Sequence, residues 1–347
     1  MAGLVEGVGF GTTELIVMRP TQDDCPQWLY YLTMCSAFRL PGEALMQGAG
    51  GQKRVPDLFV KDYFSPIPPP DEQQAIADYL DVETARIDTL IHEKDELIGL
   101  LREARSSRIS ELISGDGLPG APTGNPWAPH LPESWELKRL KHLAQVRSGL
   151  AKGKDNGSNP TVELPYLRVA NVQEGSLDLR EISTIPVEVD AVERFSLMEG
   201  DVLMNEGGDY DKVGRGAVWT GEISPCLHQN HVFAVRPMER SLSEWLSAIT
   251  QTQYAKFYFM NNAKQSTNLA SISQANVKEL PILLPPKEQR EALLKKLGAE
   301  LAAFDDLIAH THDEIGLLKE LRAATIADAV LGRIDVRGSA KKIAACA

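Results

Sequence analysis

The chain has 347 residues, 43% of them hydrophobic and 24% charged, a length and composition typical of a soluble protein with about two globular domains. Its formal net charge of −12 argues against wholesale wrapping of nucleic acid, so any contact with DNA must come from a local basic patch. No apolar run is long enough to span a membrane, the N-terminus has no secretory signal, and the cysteines are scattered singly. These features predict a cytoplasmic protein with no metal site.

Residues 1–70 contain the beginning of an internal repeat. Short groups of residues recur 217 positions later, with Arg19-Pro20 and Trp28-Leu29 returning as Arg236-Pro237 and Trp245-Leu246. In this alignment Glu14 to Arg19 matches His231 to Arg236, and position 1 lies opposite position 218, so residues 133–217 have no counterpart. We expect residues 1–70 to be a partial copy of a domain, either because the chain begins inside that domain or because the encoded protein is a shortened form.

Residues 71–114 have the pattern of one long amphipathic helix. Apolar side chains such as Ile76, Leu80 and Ile87 recur at helical steps, which places them on one face. The prolines at 68 to 70 end the preceding segment, and Gly115 stands where a left-handed residue would cap the helix. With the rise of an α-helix, a helix over this range is about 60 Å long.

Proline and glycine dominate residues 115–132, and this composition predicts a linker without helix or sheet that marks a domain boundary. From residue 133 to residue 286 the sequence changes to short β-like runs separated by glycine-rich turns, with one helix near residues 242–260. This pattern predicts a complete domain of mixed α/β structure. The predicted fold class is therefore α+β.

Residues 287–333 repeat the helical pattern of residues 71–114, and residues 334–347 are predicted to be a flexible tail. The group Ile98-Gly99-Leu100-Leu101 returns as Ile315-Gly316-Leu317-Leu318, again at an offset of 217. Neither helix can bury its apolar face alone, so we predict that the two pack on each other as a coiled-coil pair. The alternative, in which each helix lies on its own globular domain, stays open at this point.

Several short motifs accompany this domain order. Pro-Pro-x-Glu-Gln stands at the head of both predicted helices, with its glutamine at Gln73 and, at an offset of 216, at Gln289. Gly-Leu-Leu-(Arg/Lys)-Glu-x-Arg also occurs twice, ending at Arg105 and Arg322. The second domain adds Gly200-Asp201-Val202-Leu203, Gly214-Arg215-Gly216 and His228-Gln229-Asn230-His231. Together these features resemble the specificity subunits of type I restriction-modification systems, with a shortened first target-recognition domain.

The resemblance implies a division of labour. Each globular domain would be a target-recognition domain that reads one half of a bipartite DNA sequence, and the helices would form an antiparallel coiled-coil spacer. The implied partners are double-stranded DNA, two methyltransferase (modification) subunits and, through them, restriction and translocase subunits. Methylation and cleavage would belong to those partners, so the chain would have no catalytic residue, cofactor or metal. A rod of about 60 Å exceeds one turn of B-DNA, about 34 Å.

Four local signals give the candidate DNA-binding residues. Lys152 and Lys154 lie in a glycine-rich loop, which favours phosphate contact. Arg168 and Asn171 follow a predicted strand and can contact purine edges, and Lys212 and Arg215 lie in a glycine-rich turn. The polar loops of both repeats look like those that this family presents to DNA: Gln52, Lys53 and Arg54, and Gln265, Ser266, Thr267 and Asn268. Surface solvation, turn chemistry and structural ion pairs stay open as alternative explanations.

Two other functions are weighed against DNA recognition. The absent counterpart of residues 133–217 motivates a decayed specificity subunit that acts as a scaffold for modification subunits without full DNA recognition. An enzyme, such as a methyltransferase or nuclease fragment, would need a glycine-rich cofactor loop or a carboxylate-lysine cluster, and the sequence shows neither. The spacing of His228 and His231 sometimes ligates a metal, but no third ligand is placed with them.

Overall fold

The structure is a computed structural model of the chain, and it describes residues 11–12, 14–21, 23–48, 53–151, 159–265 and 269–336. The helices are α1 Pro26–Met34, α2 Ser36–Ala44, α3 Asp57–Lys61, α4 Pro70–Ser114, α5 Val192–Phe195, α6 Ser243–Thr250, α7 Gln253–Asn262, α8 Gln274–Lys278 and α9 Lys287–Val330. The strands are β1 Gly120–Pro122, β2 His130–Pro132, β3 Glu136–Arg139, β4 Ala144–Ser148, β5 Thr161–Leu167, β6 Ser183–Glu188, β7 Val202–Asn205, β8 Gly207–Gly208, β9 Gly216–Val218, β10 Leu227–His228, β11 Val232–Pro237, β12 Lys264–Gln265, β13 Ala270–Ser271 and β14 Pro281–Leu284.

The chain divides into two compact units. The first unit comprises residues 1–100 and 307–347, and the second unit comprises residues 101–306. The long helices α4 and α9 therefore contribute one part to each unit. Across the part of the chain that the structure describes, no helix combines the length and the apolar character that crossing a bilayer requires.

In the first unit, the short helix α1 packs against parts of both long helices. The shared core is formed by apolar side chains of α1, α4 and α9, chiefly Trp28, Leu32, Ile76, Leu80, Ile326 and Val330. The prediction of a flexible tail at 334–347 is wrong for its first residues, because Val336 is buried in this core. Residues 337–347 lie outside the described residues.

The second unit is built on a four-stranded antiparallel sheet in the order β4-β11-β7-β9. Side chains on one face of this sheet, such as Phe233 and Val235, join a core with Trp245 of α6. Side chains on the other face, such as Val232 and Ala234, join a separate cluster. Both faces of β11 are therefore covered, which explains why this strand is a continuous apolar run.

Smaller sheets complete the second unit. β5 pairs antiparallel with β6 and parallel with β10, while β14 pairs antiparallel with β3. The sheet β12-β13-β8 is the smaller of two three-stranded sheets among the described residues, and both residues of β8 are glycines. Together with the long helices, these elements confirm the predicted α+β class.

The prediction of a linker without helix or sheet at residues 115–132 is wrong. β1 and β2 pair antiparallel, with Gly120 opposite Pro132 and Pro122 opposite His130. Both strands of a two-stranded ribbon are edge strands, and edge positions tolerate the missing N–H of proline. Between them, Ala128 is buried in the core of the second unit, so the segment belongs to that unit.

The long helices begin and end within a few residues of their predicted limits. α4 is followed by Gly115 with φ of 69°, and α9 is followed, after one residue, by Gly332 with φ of 68°. Both values lie in the left-handed region, which glycine adopts without a steric cost and which ends helices.

The same ion pair joins the two long helices in each unit. In the second unit, Arg105 Nε donates to Asp305 Oδ1 at 2.9 Å, and in the first unit Arg322 Nε donates to Asp88 Oδ1 at 2.8 Å. The two arginines are 217 residues apart, and so are the two aspartates. The last residue of the repeated Gly-Leu-Leu-(Arg/Lys)-Glu-x-Arg motif therefore has the same cross-helix partner twice.

Further ion pairs fix the direction of the helices within each unit. In the first unit, Lys94 Nζ lies 2.6 Å from Glu314 Oε2, so the α4 residue number rises from 88 while the α9 number falls from 322. In the second unit, Arg105 pairs with Asp305, and Arg108 pairs with Glu300 at 2.5 Å, so the α4 residue number again rises while the α9 number falls. The helices thus run antiparallel in both units, which confirms the predicted pairing. Each long helix also packs on globular parts of both units. The alternative prediction, in which each helix lies on a globular domain, is therefore correct in part.

The glutamine of Pro-Pro-x-Glu-Gln ties each helix start to its own unit. Gln73 is fully buried, and its Oε1 accepts the Cys25 backbone N–H at 2.8 Å while its Nε2 donates to Asp24 Oδ1 at 2.9 Å. Gln289 Oε1 accepts the indole N–H of Trp135 at 3.1 Å. The sequence identifies the motif but not this role of its glutamine.

Candidate nucleic-acid interface

Four loops of the second unit meet at one edge of the small sheet β12-β13-β8. We call this surface the loop edge and define it by residues 149–151, 206–212, 229–231, 264–265 and 269–271. Backbone hydrogen bonds connect these segments one to the next.

The first loop leaves β4 and is held beside residues 228–230. The Leu150 N–H donates to the His228 carbonyl at 2.8 Å, and the Asn230 N–H donates to the Leu150 carbonyl at 3.0 Å. A Cβ at position 149 would lie 2.0 Å from the His228 carbonyl oxygen, so the close approach requires Gly149. The structure therefore places the start of this loop on the loop edge. Lys152 and Lys154 lie outside the described residues.

Glu206 joins the second loop to the third. Its N–H donates to the His231 carbonyl at 2.9 Å, and its own carbonyl accepts the Ile272 N–H at 2.8 Å. Two residues later, Gly208 of β8 lies opposite Ala270 of β13. The exposed His231 ring also contacts the Glu206 carboxylate, at 3.1 Å. These bonds bring residues 206–208, 229–231 and 270–271 to one place.

His228 has a structural role under this edge. The side chain is buried, and its Nδ1 lies 2.6 Å from the Val232 carbonyl oxygen, so the Nδ1–H donates to that oxygen. Burial lowers the pKa of His228 to about 4. The ring is therefore neutral at pH 7 and fixes the turn that presents residues 229–231.

Lys212 and Arg215 lie in a turn whose glycines have a packing role. A Cβ at position 214, where φ is +76°, would come within 2.2 Å of the Phe259 ring. Lys212 pairs with Asp209, and this hydrogen bond lowers the pKa of the Asp209 carboxyl. Both cations are half-buried, and Lys212 would have to exchange Asp209 for a phosphate in order to bind DNA.

The structure contradicts the prediction that Asn171 contacts DNA. Its side chain is buried, and its Oδ1 accepts the Arg168 backbone N–H at 2.8 Å. Its Nδ2 donates to the carbonyls of Asp178 and Glu181 at 2.8 and 2.9 Å. All of these bonds lie inside the unit, and the buried amide is not accessible to a base. Arg168 is half-buried, and its Nε has no hydrogen-bond partner among the described residues, so Arg168 stays a prediction.

The polar loop of the second repeat is described only at its borders. Gln265 is exposed at the end of β12, where it lies opposite Ala270. Ser266, Thr267 and Asn268 lie outside the described residues. The exposed Lys264 precedes Gln265, and no carboxylate pairs with it within the described ranges. Lys264 is not among the residues predicted from sequence, although its position beside the polar run was a usable signal.

The polar loop of the first repeat belongs to the first unit. Lys53 is exposed, and the backbone of Arg54 exchanges two hydrogen bonds with Gln47, at 2.8 and 2.9 Å. The Arg54 guanidinium forms an ion pair with Glu14. Gln52 lies outside the described residues. Lys53 and Arg54 are therefore not brought together with the loop edge in one unit, and their DNA contact stays a prediction.

Comparison with known proteins places this loop edge within a recognised domain. A family model for the type I restriction modification DNA specificity domain matches residues 132–317, which is more than half of the chain. The chain belongs to this family. The matched range contains every residue of the loop edge.

Individual specificity subunits match over different lengths. The EcoKI specificity subunit of Escherichia coli strain K12 is 24% identical over 335 residues, which cover 94% of this chain and 69% of that protein. A putative MjaX specificity subunit of Methanocaldococcus jannaschii is 26% identical over 195 residues, covering 55% of this chain and 44% of that protein. These matches confirm the interpretation that the chain is a specificity subunit and not one of the catalytic subunits.

A solved structure supports the fold. A chain of the type I R-M system superposes with a TM-score of 0.59 at 18% identity, covering 89% of this chain and 72% of that chain. At this identity the likeness concerns the fold alone.

Proposed function

We propose that the chain is a non-catalytic DNA-recognition subunit of a type I restriction-modification complex, and that the loop edge of the second unit reads one half of a bipartite target. One observation carries the proposal. Four loops converge on a single surface inside the range that matches the DNA specificity family, and they present Lys264, Gln265, Asn230 and backbone polar groups there.

The chemistry of the loop edge suits base recognition more than charge-driven binding. Amide and imidazole side chains at Gln265, Asn230 and His231 offer donors and acceptors for base edges. Among the described residues of the loop edge, Lys212 is balanced by Asp209, and Lys264 is the other cation there. The chain alone should therefore bind random DNA weakly, because non-specific affinity comes from neutralised phosphates.

Paired exposed leucines support docking of two modification subunits. Leu100 and Leu317 occupy equivalent positions of the repeat and are 63% and 65% exposed, both within the first unit. Leu90 and Leu307 are a second such exposed pair. Large apolar side chains that stay exposed at equivalent repeat positions fit two equivalent contacts with a partner. The restriction and translocase subunits would then join through the modification subunits.

The DNA-reading role is tested by selection from random-sequence duplexes, using the full chain together with modification subunits. We expect a bipartite consensus, and we expect Lys264→Ala combined with Gln265→Ala to weaken binding by about tenfold or to alter one half-site only. Lys296→Ala, an exposed lysine of α9, is the matched control and should select the same consensus at unchanged affinity. Recovery of no consensus from the unchanged chain would refute the proposal.

The docking role is tested by measuring how many modification subunits bind each chain. Leu100→Ser and Leu317→Ser should each remove one of two bound copies, while Leu40→Ser, at an exposed position of α2 in the same unit, should remove none. An unchanged stoichiometry in both variants would contradict docking at these leucines. The decayed-scaffold alternative is not favoured by the match to a DNA specificity family. It would predict normal subunit binding with no selected sequence.

A further inference from the structure

Three arginines of the second unit surround the short segment 194–196. Arg147 lies in β4 opposite Ala234 of β11, and Arg236 follows Ala234 by two residues on that strand. Because side chains two residues apart share one face of a strand, Arg147 and Arg236 leave the sheet on the same side. The third arginine, Arg194, belongs to α5.

The guanidinium groups of the two sheet arginines both contact this segment. Arg147 donates from Nη2 to the Arg194 carbonyl, and Arg236 donates from Nη2 to the Ser196 carbonyl at 3.3 Å. The guanidinium carbon of Arg194 lies 5.2 Å from the centroid of the Phe195 ring. Backbone and ring contacts therefore hold the three cations around one short stretch of chain.

A single carboxylate among the described residues pairs with these cations. Asp201 is buried and accepts two hydrogen bonds of 2.7 Å from Arg236. Within the described part of the chain, neither Arg147 nor Arg194 forms an ion pair. Two positive charges of the cluster therefore have no carboxylate partner there.

The surroundings of Arg147 oppose its positive charge. The side chain is half-buried, and burial together with the charge of Arg236 lowers the pKa of its guanidinium. Arg194 acts in the same direction, and the opposing effect of Asp201 is smaller than that of Arg236. A bound anion would offset this repulsion, and the guanidinium fork matches the oxygens of a phosphate group. The cluster therefore suits a phosphate.

Two strands beside the cluster lead directly into the loop edge. Arg147 precedes Gly149 by two residues, and Ser196 forms a β-bridge with Leu227, which precedes Gln229 by two residues. With the rise of a strand, two residues span about 7 Å. Each strand of B-DNA carries one phosphate about every 3.4 Å along the helix axis, so this separation corresponds to about two base pairs.

We infer that Arg147 and Arg194 bind a backbone phosphate of the DNA beside the half-site that the loop edge reads, and that Arg236 and Asp201 support this site. The inference rests on the proposed DNA recognition. It adds a contact that positions the duplex without reading its sequence. The loop edge then supplies donors and acceptors for bases, and the two arginines supply positive charge for the backbone.

The test is the salt dependence of DNA binding by the full chain with modification subunits, measured on a random-sequence duplex and on the selected duplex. Each phosphate contact contributes about 1 to the slope of log K against log salt concentration. We expect Arg147→Gln and Arg194→Gln each to reduce the magnitude of this slope by about 1 and the affinity by about threefold, with the consensus unchanged. Arg240→Gln, at an exposed arginine already paired with Glu199, is the matched control and should change neither quantity.

Two further measurements separate phosphate binding from a structural role. Arg147→Lys should restore most of the slope, because lysine keeps the charge. Arg194 makes no side-chain hydrogen bond among the described residues, so Arg194→Gln removes the charge without breaking such a bond. A duplex with one neutral methylphosphonate at the contacted position should bind the unchanged chain more weakly, and it should bind the double variant as well as ordinary DNA does.

Three results would overturn the inference. The slope could stay unchanged in either variant, the selected consensus could change because the arginines read bases, or the variants could lose a modification subunit because the arginines bind a protein carboxylate. A normal consensus with an unchanged slope would leave the proposed base recognition standing. A reduced slope without any consensus would refute base recognition and leave the phosphate site standing.

Discussion

Gln73 and Gln289 hold equivalent helix starts, yet their surroundings differ. Gln73 makes three hydrogen bonds in a fully buried site, to Cys25, Asp24 and, at 3.0 Å, the Pro68 carbonyl. Gln289 is half-buried and accepts one bond, from Trp135. Gln289 accepts its bond from a tryptophan side chain of the second unit, whereas Gln73 is held by backbone groups and a carboxylate of the first unit. The same motif glutamine therefore anchors each long helix through different hydrogen-bond partners in the two units.

The largest effect is expected at the buried member of this pair. Gln73→Leu leaves the Cys25 N–H without an acceptor in a buried site and should destabilise the first unit by about 2–4 kcal/mol, while Gln289→Leu should cost its unit about 1 kcal/mol. Native-state hydrogen exchange at α1 and α6 reports the two units separately. Gln74→Leu, an exposed neighbour, is the control. Equal losses for both motif glutamines would show that burial does not separate them.

The next largest effect is expected from acid, which should lower the stability of the second unit through His228. The pKa of His228 is about 4 in the folded chain against an ordinary 6.5, because the ring is buried. The unfolded chain therefore binds more protons between these values, and the second unit loses stability as pH falls from about 6.5 to about 4, by up to roughly 3 kcal/mol. The first repeat has Gly11 at the equivalent position, so the first unit lacks this source of acid sensitivity.

The check is exchange protection of α6 amides at pH 7 and pH 5, corrected for intrinsic rates. His228→Asn should reduce the pH dependence of the second unit's stability and leave the first unit's stability unchanged. If the variant kept the same acid slope as the unchanged chain, another group would be responsible.

The smallest effect is expected at the arginine–aspartate ion pair that occurs in both units. The Arg322–Asp88 and Arg105–Asp305 pairs have similar geometry and partly exposed side chains, so each should contribute about 0.3–1 kcal/mol. Double-mutant cycles with both charges exchanged, such as Arg322→Asp with Asp88→Arg, measure the coupling. Coupling in one unit but not in the other would break the equivalence of the two helix pairings.

The features predicted correctly from the sequence are those that depend on local pattern. The limits of α4 and α9 follow from apolar periodicity and from Gly115 and Gly332, whose left-handed conformation ends each helix. The β1-β2 ribbon was missed because its prolines resemble a linker, and only the pairing partner makes them strands. Local composition alone does not identify the strand with which a segment pairs.

The candidate interface was predicted less completely for a related reason. Asn171, shortly after β5, and Gln265, at the end of β12, carry similar amides, but the first is buried and bonded to backbone carbonyls whereas the second is exposed. Residue type alone does not distinguish these cases, because the difference lies in contacts between distant segments. The roles of Gln73, His228 and Gly149 were missed for the same reason, since each acts through a backbone group far away in the chain or across a turn.

The most direct test of the central claim is amide hydrogen exchange of the second unit with and without the DNA duplex recovered by selection. Reading by the loop edge predicts that protection on DNA binding concentrates in residues 149–151, 206–212, 229–231, 264–265 and 269–271. Protection confined to other surfaces, such as the exposed face of α9, with these segments unchanged would contradict the account.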